Sequence, residues 1–306
     1  MTSQSEEVEF EFLPLIRVFK SGRVERIAGT ATVPSSPLDP ATGVASRDVV
    51  IDPAVPVSAR LYVPPSSSPE KKSPLLVYFH GGAFCIESAF SPTYHLYLNS
   101  LAARAGIVIV SVNYRLAPEH PLPAAYDDSW AALRWAAAGG GGDPLISDRA
   151  DLGKIFLAGD SAGANIAHRM AVMAGADGGV KVEGMVLIHP YFSTGPEAEG
   201  SIGDRLWRMV CPGAEGGTGD PRLNPASEGK VALAGMAGRR AVVFVAEKDV
   251  LREKGTAYHE VVTGSGWGGE AEVVETEGEG HVFHLLKPES EKAGEMMEKV
   301  VAFFSA

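Results

Sequence analysis

The chain has 306 residues, a length within the range of one large α/β domain. Its composition is that of an ordinary globular protein, with 45% hydrophobic and 21% charged residues. The formal net charge of −11 disfavours nucleic acid and anionic membrane surfaces as partners. No apolar run approaches the roughly 18 consecutive residues that indicate a membrane span.

The N-terminal segment and the cysteines indicate the compartment. Residues 1–9 are acidic and lack the basic-then-apolar layout of a signal peptide. Cys85 and Cys211 are too few for a disulfide framework or a cysteine metal site. We therefore expect a reduced, cytoplasmic protein.

The first part of the chain, up to about residue 63, is predicted to form β-hairpins. Residues 16–19 and 24–27 flank Ser21-Gly22, a turn sequence. Residues 48–52 and 57–63 flank a turn that contains proline.

Beyond residue 74, apolar runs alternate with longer amphipathic stretches. Continuous runs rich in β-branched residues are typical of strands buried on both faces. The predicted strands are residues 75–79, 107–112, 154–158, 184–188, 241–246 and 271–276, and the predicted helices are residues 94–105, 124–138, 164–171, 252–263 and 289–304. This alternation predicts an α/β fold with a mostly parallel sheet and right-handed crossovers.

Residues 192–231 interrupt the alternation. The segment is rich in Gly, Pro and Glu but also holds Leu206, Trp207 and Met209. It is long for a plain connection between two strands, which favours a lid or a binding segment. A loose surface insertion is the alternative.

A candidate nucleophile lies between a predicted strand and a predicted helix. The sequence Gly159-Asp160-Ser161-Ala162-Gly163 has the G-x-S-x-G pattern of a nucleophile elbow. The flanking glycines permit a tight turn from which the serine hydroxyl projects at the sheet edge. The usual use of such a serine is attack on an acyl carbon, so we predict this role for Ser161.

A serine hydroxyl needs a base to remove its proton, and the base needs an orienting carboxylate. In this architecture the acid and then the histidine follow the serine, each on a loop after a strand. Asp249 follows the predicted strand 241–246 and is favoured over Glu247, which is still close to that strand. Asp204 and Asp220 lie in the irregular segment, where no strand positions them.

Four histidines follow the predicted elbow helix. His281 follows the last predicted strand, in a loop to which Gly280 gives backbone freedom, so it is the candidate base. His259 falls within a predicted helix and is interpreted as a surface residue, and His284 is expected to pack or to cap. His189 stands at a strand end, where it either lines the pocket or lies in the core.

Ester hydrolysis builds negative charge on the carbonyl oxygen, and preorganised N–H donors stabilise that charge. His80-Gly81-Gly82 follows the predicted strand 75–79, about eighty residues before Ser161, where elbow enzymes place an HGG-type loop. The backbone N–H groups of Gly81, Gly82 and Ala162 are the predicted oxyanion hole. This chemistry needs no metal and no organic cofactor.

These motifs resemble the hormone-sensitive-lipase branch of the α/β-hydrolase family, and more narrowly the plant carboxylesterases. The resemblance covers nearly the whole chain and is carried by residues 80–84, 113–120, 126–128, 159–165, 189–190 and 280–284. It implies one α/β-hydrolase domain over residues 1–306, with a sheet of about eight strands and helices on both faces. It also implies a cap formed by residues 1 to about 45 and 192–231.

The resemblance implies the catalytic triad Ser161, Asp249 and His281, with Asp160 and Asn165 bracing the elbow. Aromatic and histidine side chains near the site are candidates for the pocket wall, although core packing explains each of them about as well. The candidates are Phe84, His189, Tyr191, Trp207 and Phe283.

The expected activity is hydrolysis of small carboxylic esters, with a small-molecule ester as the partner and no particular oligomeric state predicted. The family also contains gibberellin receptors, which keep the serine but lose the catalytic histidine, so His281 argues against a pure receptor. It further contains 2-hydroxyisoflavanone dehydratases, whose legume form has threonine in place of the elbow serine. Ser161 therefore favours hydrolysis, while dehydratases that keep the serine leave dehydration as an alternative.

Overall fold

The computed structural model describes residues 7–65 and 72–305 of the chain. The strands are β1 (Val8–Phe12), β2 (Ile16–Phe19), β3 (Val24–Arg26), β4 (Ala45–Asp52), β5 (Val57–Val63), β6 (Ser73–Phe79), β7 (Val108–Asn113), β8 (Ala150–Asp160), β9 (Gly184–Ile188), β10 (Arg240–Ala246) and β11 (Glu270–Thr276). The α-helices are α1 (Pro92–Ala105), α2 (Ala124–Ala137), α3 (Pro144–Ser147), α4 (Ala162–Asp177), α5 (Ile202–Val210), α6 (Lys230–Ala234), α7 (Arg252–Thr263), α8 (Phe283–Leu286) and α9 (Glu291–Ser305).

A central sheet of eight strands has the order β11-β10-β9-β8-β6-β7-β5-β4. Strand β5 is antiparallel to both of its neighbours, and every other neighbouring pair is parallel. Parallel strands joined by helices must be covered on both faces, which explains their continuous apolar sequences. The mostly parallel α/β sheet predicted from the sequence is confirmed.

Two hydrophobic cores lie on opposite faces of this sheet, and strand β6 shows how one strand serves both. Leu75, Val77 and Phe79 belong to the core that also contains apolar residues of α2 and α4. Leu76 and Tyr78 belong to the other core, together with α1 and α9. Alternate side chains of a strand point to opposite faces, so the uninterrupted apolar run fills both cores.

A smaller antiparallel sheet, in the order β1-β2-β3, precedes the central one. The hairpin predicted at residues 16–19 and 24–27 is β2–β3, and the one predicted at 48–52 and 57–63 is β4–β5, which forms the edge of the central sheet. Residues 1–6 of the predicted cap lie outside the described residues.

Helix α5 is the main element of the segment 192–231 and packs inward. Leu206, Trp207 and Val210 are buried in the same core as Phe10 of β1. The guanidinium of Arg205 lies 5.4 Å from the ring centroid of Phe10. The two segments that the sequence assigned to a cap therefore touch each other.

Among the described residues, no helix is both long enough and apolar enough to cross a membrane.

We predict that Phe156→Ala lowers the free energy of unfolding by about 3–5 kcal/mol, because it removes a buried ring and leaves a cavity. Phe156, on β8, is 1% exposed and contacts Phe303 and Phe304 edge-to-face, at centroid distances of 6.0 and 5.1 Å. Chemical denaturation measures the change. The control is Val50→Ala on the edge strand, where the side chain is 66% exposed and the loss should stay within about 0.5 kcal/mol. Equal losses in the two variants would contradict the conclusion that Phe156 anchors α9 to the sheet.

Candidate active site

Ser161 occupies the sharp turn between β8 and α4. Its backbone has φ 51° and ψ −118°, a conformation that is costly for a residue with a side chain. The turn brings Gly163 against the carbonyl oxygen of Phe79, where an added Cβ would overlap that oxygen, and a Cβ on Gly159 would overlap the backbone of Gly163. Glycine at both positions is therefore a steric requirement of the elbow.

The structure brings Ser161, His281 and Asp249 into one line of hydrogen bonds. The Ser161 hydroxyl oxygen lies 3.0 Å from His281 Nε2, and His281 Nδ1 lies 2.7 Å from an Asp249 carboxylate oxygen. Asp249 follows β10, and His281 follows β11 in the short loop before α8. Both loops leave the same edge of the sheet as the elbow, because parallel strands end on one side.

The Asp249 carboxylate is buried and kept ionised by its contacts. Burial alone would raise the pKa of this carboxyl, but the hydrogen bond with His281 and the N–H of Leu251 stabilise the charged form. The net result is a pKa below the ordinary value for aspartate. The Asp249 carboxylate beside His281 is therefore negatively charged at neutral pH.

Several backbone N–H groups near the elbow have no acceptor among the described residues. Those of Gly82, Ala83 and Ala162 donate to no other residue in the described part of the chain. Ala162 is the first residue of α4, so its N–H has no partner within the helix. Ala83 has φ 54°, a left-handed backbone conformation that an alanine in the sequence does not predict.

The prediction for Gly81 is corrected by the structure. Its N–H donates to the Tyr94 hydroxyl at 2.7 Å, so it is not available to a carbonyl oxygen of a substrate. The residue is still required as glycine, because an added Cβ would overlap a carboxylate oxygen of Asp160. Ala83, which the sequence analysis did not select, supplies an unpaired N–H in the same loop.

Asp160 connects the elbow to this loop. Its buried carboxylate accepts hydrogen bonds from Tyr78 at 2.8 Å and from Tyr94 at 2.9 Å. Burial raises the pKa of Asp160 to about 6, and the two hydroxyl donors oppose that rise. Gly81, Tyr94 and Asp160 thus form a chain of hydrogen bonds that ends one residue before the nucleophile.

Asn165 connects α4 to the segments around it. Its side-chain oxygen accepts from the Tyr126 hydroxyl at 2.8 Å, and its amide nitrogen donates to the carbonyls of Tyr191 and Arg222 at 3.2 and 2.8 Å. All polar side-chain atoms of Asp160 and Asn165 are hydrogen-bonded, which fits a bracing role.

His189 packs against the loop that carries His281. Its Nδ1 accepts the N–H of Val282 at 3.0 Å, and its ring lies 5.9 Å from the His281 ring. Burial and the neighbouring histidines His284 and His281 lower the pKa of His189 well below its ordinary value, so the ring is neutral. His284 is 3% exposed and packed, and His259 is half-buried on α7, where its Nε2 lies 3.1 Å from the carbonyl of Ala271.

The candidates for the pocket wall are mostly packed in the core. Phe84, His189, Trp207 and Phe283 are each at most 2% exposed, and only Tyr191 of the five is half-buried. Phe283 packs on His189, and Phe84 lies 6.4 Å from Trp207 between ring centroids. Of the two alternatives that the sequence left open, pocket wall and core packing, these four side chains show core packing.

One group of potential metal ligands occurs among the described residues, and it consists of His189, Asp249 and His281. Both ring nitrogens of His281 already have partners, Nδ1 the Asp249 carboxylate and Nε2 the Ser161 hydroxyl. A metal bound through His281 would have to displace one of these hydrogen bonds. The group therefore fits a serine site better than a metal site.

A serine on a strand-to-helix elbow, followed along the chain by an acid and then a histidine, is the arrangement of the α/β hydrolases. A family model described as alpha/beta hydrolase fold matches residues 76–285. The chain belongs to the α/β-hydrolase family, and the carboxylesterase and esterase similar to it show that it is a carboxylic ester hydrolase.

Relatives and a solved structure are similar over most of the chain. Tuliposide A-converting enzyme 2, chloroplastic, of Tulipa gesneriana is 47% identical over 99% of this chain and 80% of its own length. Probable carboxylesterase 2 of Arabidopsis thaliana is 46% identical over 100% and 99%, and 2-hydroxyisoflavanone dehydratase of Glycyrrhiza echinata is 42% identical over 99% and 98%. A hyperthermophilic esterase of the archaeon Pyrobaculum calidifontis superposes with a TM-score of 0.68 at 30% identity, covering 85% of this chain and 84% of its own.

We predict that Tyr94→Phe lowers the free energy of unfolding by about 1–3 kcal/mol, because it leaves the Gly81 N–H and an Asp160 oxygen unpaired in the interior. The matched control is Tyr97→Phe on the same helix, whose buried hydroxyl has no hydrogen-bond partner in the described structure. Its removal should be nearly neutral. Denaturation of both variants at neutral pH measures the difference, and equal stability of the two would contradict the proposed chain of hydrogen bonds.

Proposed function

We propose that this protein hydrolyses small carboxylic esters through an acyl-enzyme on Ser161, with His281 as general base and Asp249 as its orienting acid. The observation that carries the proposal is the pair of contacts at His281, 3.0 Å to the serine oxygen and 2.7 Å to the carboxylate. Both lie within the reach that proton transfer from a serine requires.

In the first half of the reaction, His281 Nε2 takes the proton of Ser161 as its oxygen attacks the ester carbonyl. Asp249 holds the Nδ1–H tautomer and stabilises the imidazolium that forms. The oxyanion is received by the N–H groups of Gly82, Ala83 and Ala162, which have no other acceptor among the described residues. His281 then protonates the leaving alcohol, which departs.

In the second half, a water molecule takes the place of the alcohol. His281 removes its proton, the hydroxide attacks the acyl carbon, and the acid is released as Ser161 recovers its proton. Every proton transfer uses the same imidazole nitrogen. The proposal needs neither a metal nor an organic cofactor.

We assign the cap to the small sheet β1–β3 with the residues up to about 45, and to residues 192–231. The contact between Arg205 and Phe10 supports this assignment, because it joins the two segments into one cover. We propose short-chain esters as the substrates because of the resemblance to plant carboxylesterases. Tuliposide A belongs in the substrate screen because relatives at 46–47% identity are named for its conversion.

Dehydration is the second candidate, since the relative named 2-hydroxyisoflavanone dehydratase is 42% identical over nearly the full length. Hydrolysis is favoured because the Ser161 oxygen is within hydrogen-bond distance of the base, as nucleophilic attack requires. A hormone receptor without activity is disfavoured for the same reason. Screening esters of increasing acyl length together with a 2-hydroxyisoflavanone separates the three.

We also propose a cytoplasmic location, supported by two buried cysteines that form no disulfide. Tulip relatives carry chloroplastic or amyloplastic in their names. A fluorescent fusion of the full chain expressed in plant cells decides between the cytosol and a plastid.

We predict that Ser161→Ala lowers kcat on a short p-nitrophenyl ester by at least about 10⁴-fold, because the nucleophile is removed while the donors stay. Asp249→Asn should lower kcat by roughly 10⁴-fold through loss of the correct imidazole tautomer. Thermal melting of each variant serves as the control for folding. Undiminished activity in Ser161→Ala, or a fluorophosphonate adduct on another residue, would contradict the proposed mechanism.

A further inference from the structure

The loop that carries two of the unpaired N–H donors has an unfavourable backbone. Ala83, Phe84 and Glu87 have φ values of 54°, 61° and 69°, in the left-handed region that residues with side chains rarely adopt. Such conformations persist only where surrounding contacts hold them. We call residues 81–91, between β6 and α1, the oxyanion loop.

One guanidinium group from the small sheet contacts this loop directly. Arg26, the last residue of β3, donates from Nε to the carbonyl of Cys85 at 2.7 Å. Its Nη2 donates to the carbonyl of Ala117 at 3.2 Å. The N–H of Ala117 in turn donates to the carbonyl of Phe84 at 2.9 Å, so Arg26 connects the loop to the segment that holds it.

Glu119 fixes the orientation of this guanidinium. Its two carboxylate oxygens lie 2.7 and 2.6 Å from Nη1 and Nη2 of Arg26. Glu119 is 45% exposed, and an ion pair at such a site contributes little by itself. The bidentate contact instead sets the plane of the guanidinium, so that its remaining N–H groups point at the two carbonyls.

Two more contacts come from the residues that follow β3. The carbonyl of Gly29 accepts the N–H of Glu87 at 3.2 Å, and the N–H of Val33 donates to the carbonyl of Phe90 at 2.9 Å. Gly29 has φ 71°, and a Cβ there would come within 2.7 Å of the Glu87 nitrogen. The segment 26–33 therefore contacts the oxyanion loop at Cys85, Glu87 and Phe90.

We propose that Arg26 is a positioning residue that holds the Gly82 and Ala83 N–H groups in place for the oxyanion. The inference rests on the proposed hydrolytic function and deepens it, because it makes the small N-terminal sheet a support of catalysis as well as a cover. Arg26 touches no reacting atom. It acts through the carbonyl of Cys85, two residues beyond Ala83.

The test compares Arg26→Gln with Arg17→Gln. Arg17 lies on the neighbouring strand β2, and its ion pairs with Glu11 and Glu25 stay within the small sheet. We expect Arg26→Gln to lower kcat by about tenfold, less than the loss of an oxyanion donor itself, while KM changes by less than about twofold. Arg17→Gln should change both constants by less than about twofold.

A second substrate distinguishes positioning from general damage. Thiocarbonyl sulfur is a weak hydrogen-bond acceptor, so hydrolysis of the matched aryl thionoester depends less on the N–H donors. The oxoester-to-thionoester ratio of kcat/KM should therefore fall by about tenfold in Arg26→Gln and stay constant in Arg17→Gln. Unchanged kcat, or equal losses on both esters with a constant ratio, would overturn the proposal.

Hydrogen exchange of the full-length protein separates this inference from the function it rests on. Amides of residues 82–91 should exchange faster in Arg26→Gln than in the wild type, with or without turnover. A wild type that hydrolyses no ester would refute the proposed function, and exchange rates that are equal in both proteins would then also refute the role of Arg26. An active wild type with an unaffected Arg26→Gln would refute the role of Arg26 alone.

Discussion

The site depends on one close approach, that of Gly163 in α4 to the carbonyl of Phe79 at the end of β6. No side chain fits between them, so the helix begins directly against the neighbouring strand. On the other side, the Ser161 N–H donates to Ile188 at 2.8 Å, and its carbonyl accepts the N–H of Tyr191 at 3.0 Å. The nucleophile is thus held between the ends of β6 and β9, and its position follows from the backbone.

A buried carboxylate extends this arrangement to the oxyanion loop. Asp160 ends β8 and binds two tyrosine hydroxyls, one of which also accepts the N–H of Gly81. In a low-dielectric interior, such a fully bonded network is strong and directional, whereas an unpaired member would be costly. The distance between the loop and the nucleophile is therefore set by side chains that take no part in proton transfer.

The sequence predicted much of the fold and of the site because those features depend on local patterns. Apolar runs marked the strands, and the chain order of Asp249 and His281 after Ser161 selected the residues that now lie in one hydrogen-bonded line. The choice of Gly81 was wrong because the direction of an amide depends on Tyr94, thirteen residues away on a helix. Burial of Trp207 likewise depends on how α5 packs, which no spacing in the sequence reveals.

Several residues around the site share an unfavourable backbone conformation. In the part of the chain that the structure describes, the non-glycine residues with left-handed φ are Ala83, Phe84, Glu87, Ser161, His189 and Val282. All of them lie in loops after β6, β8, β9 and β11, at the edge of the sheet where the site is built. Local preferences oppose these conformations, so contacts from distant segments must hold them, as the Val282 N–H bonded to His189 shows. Strained backbone at a sheet edge thus marks the site independently of any motif.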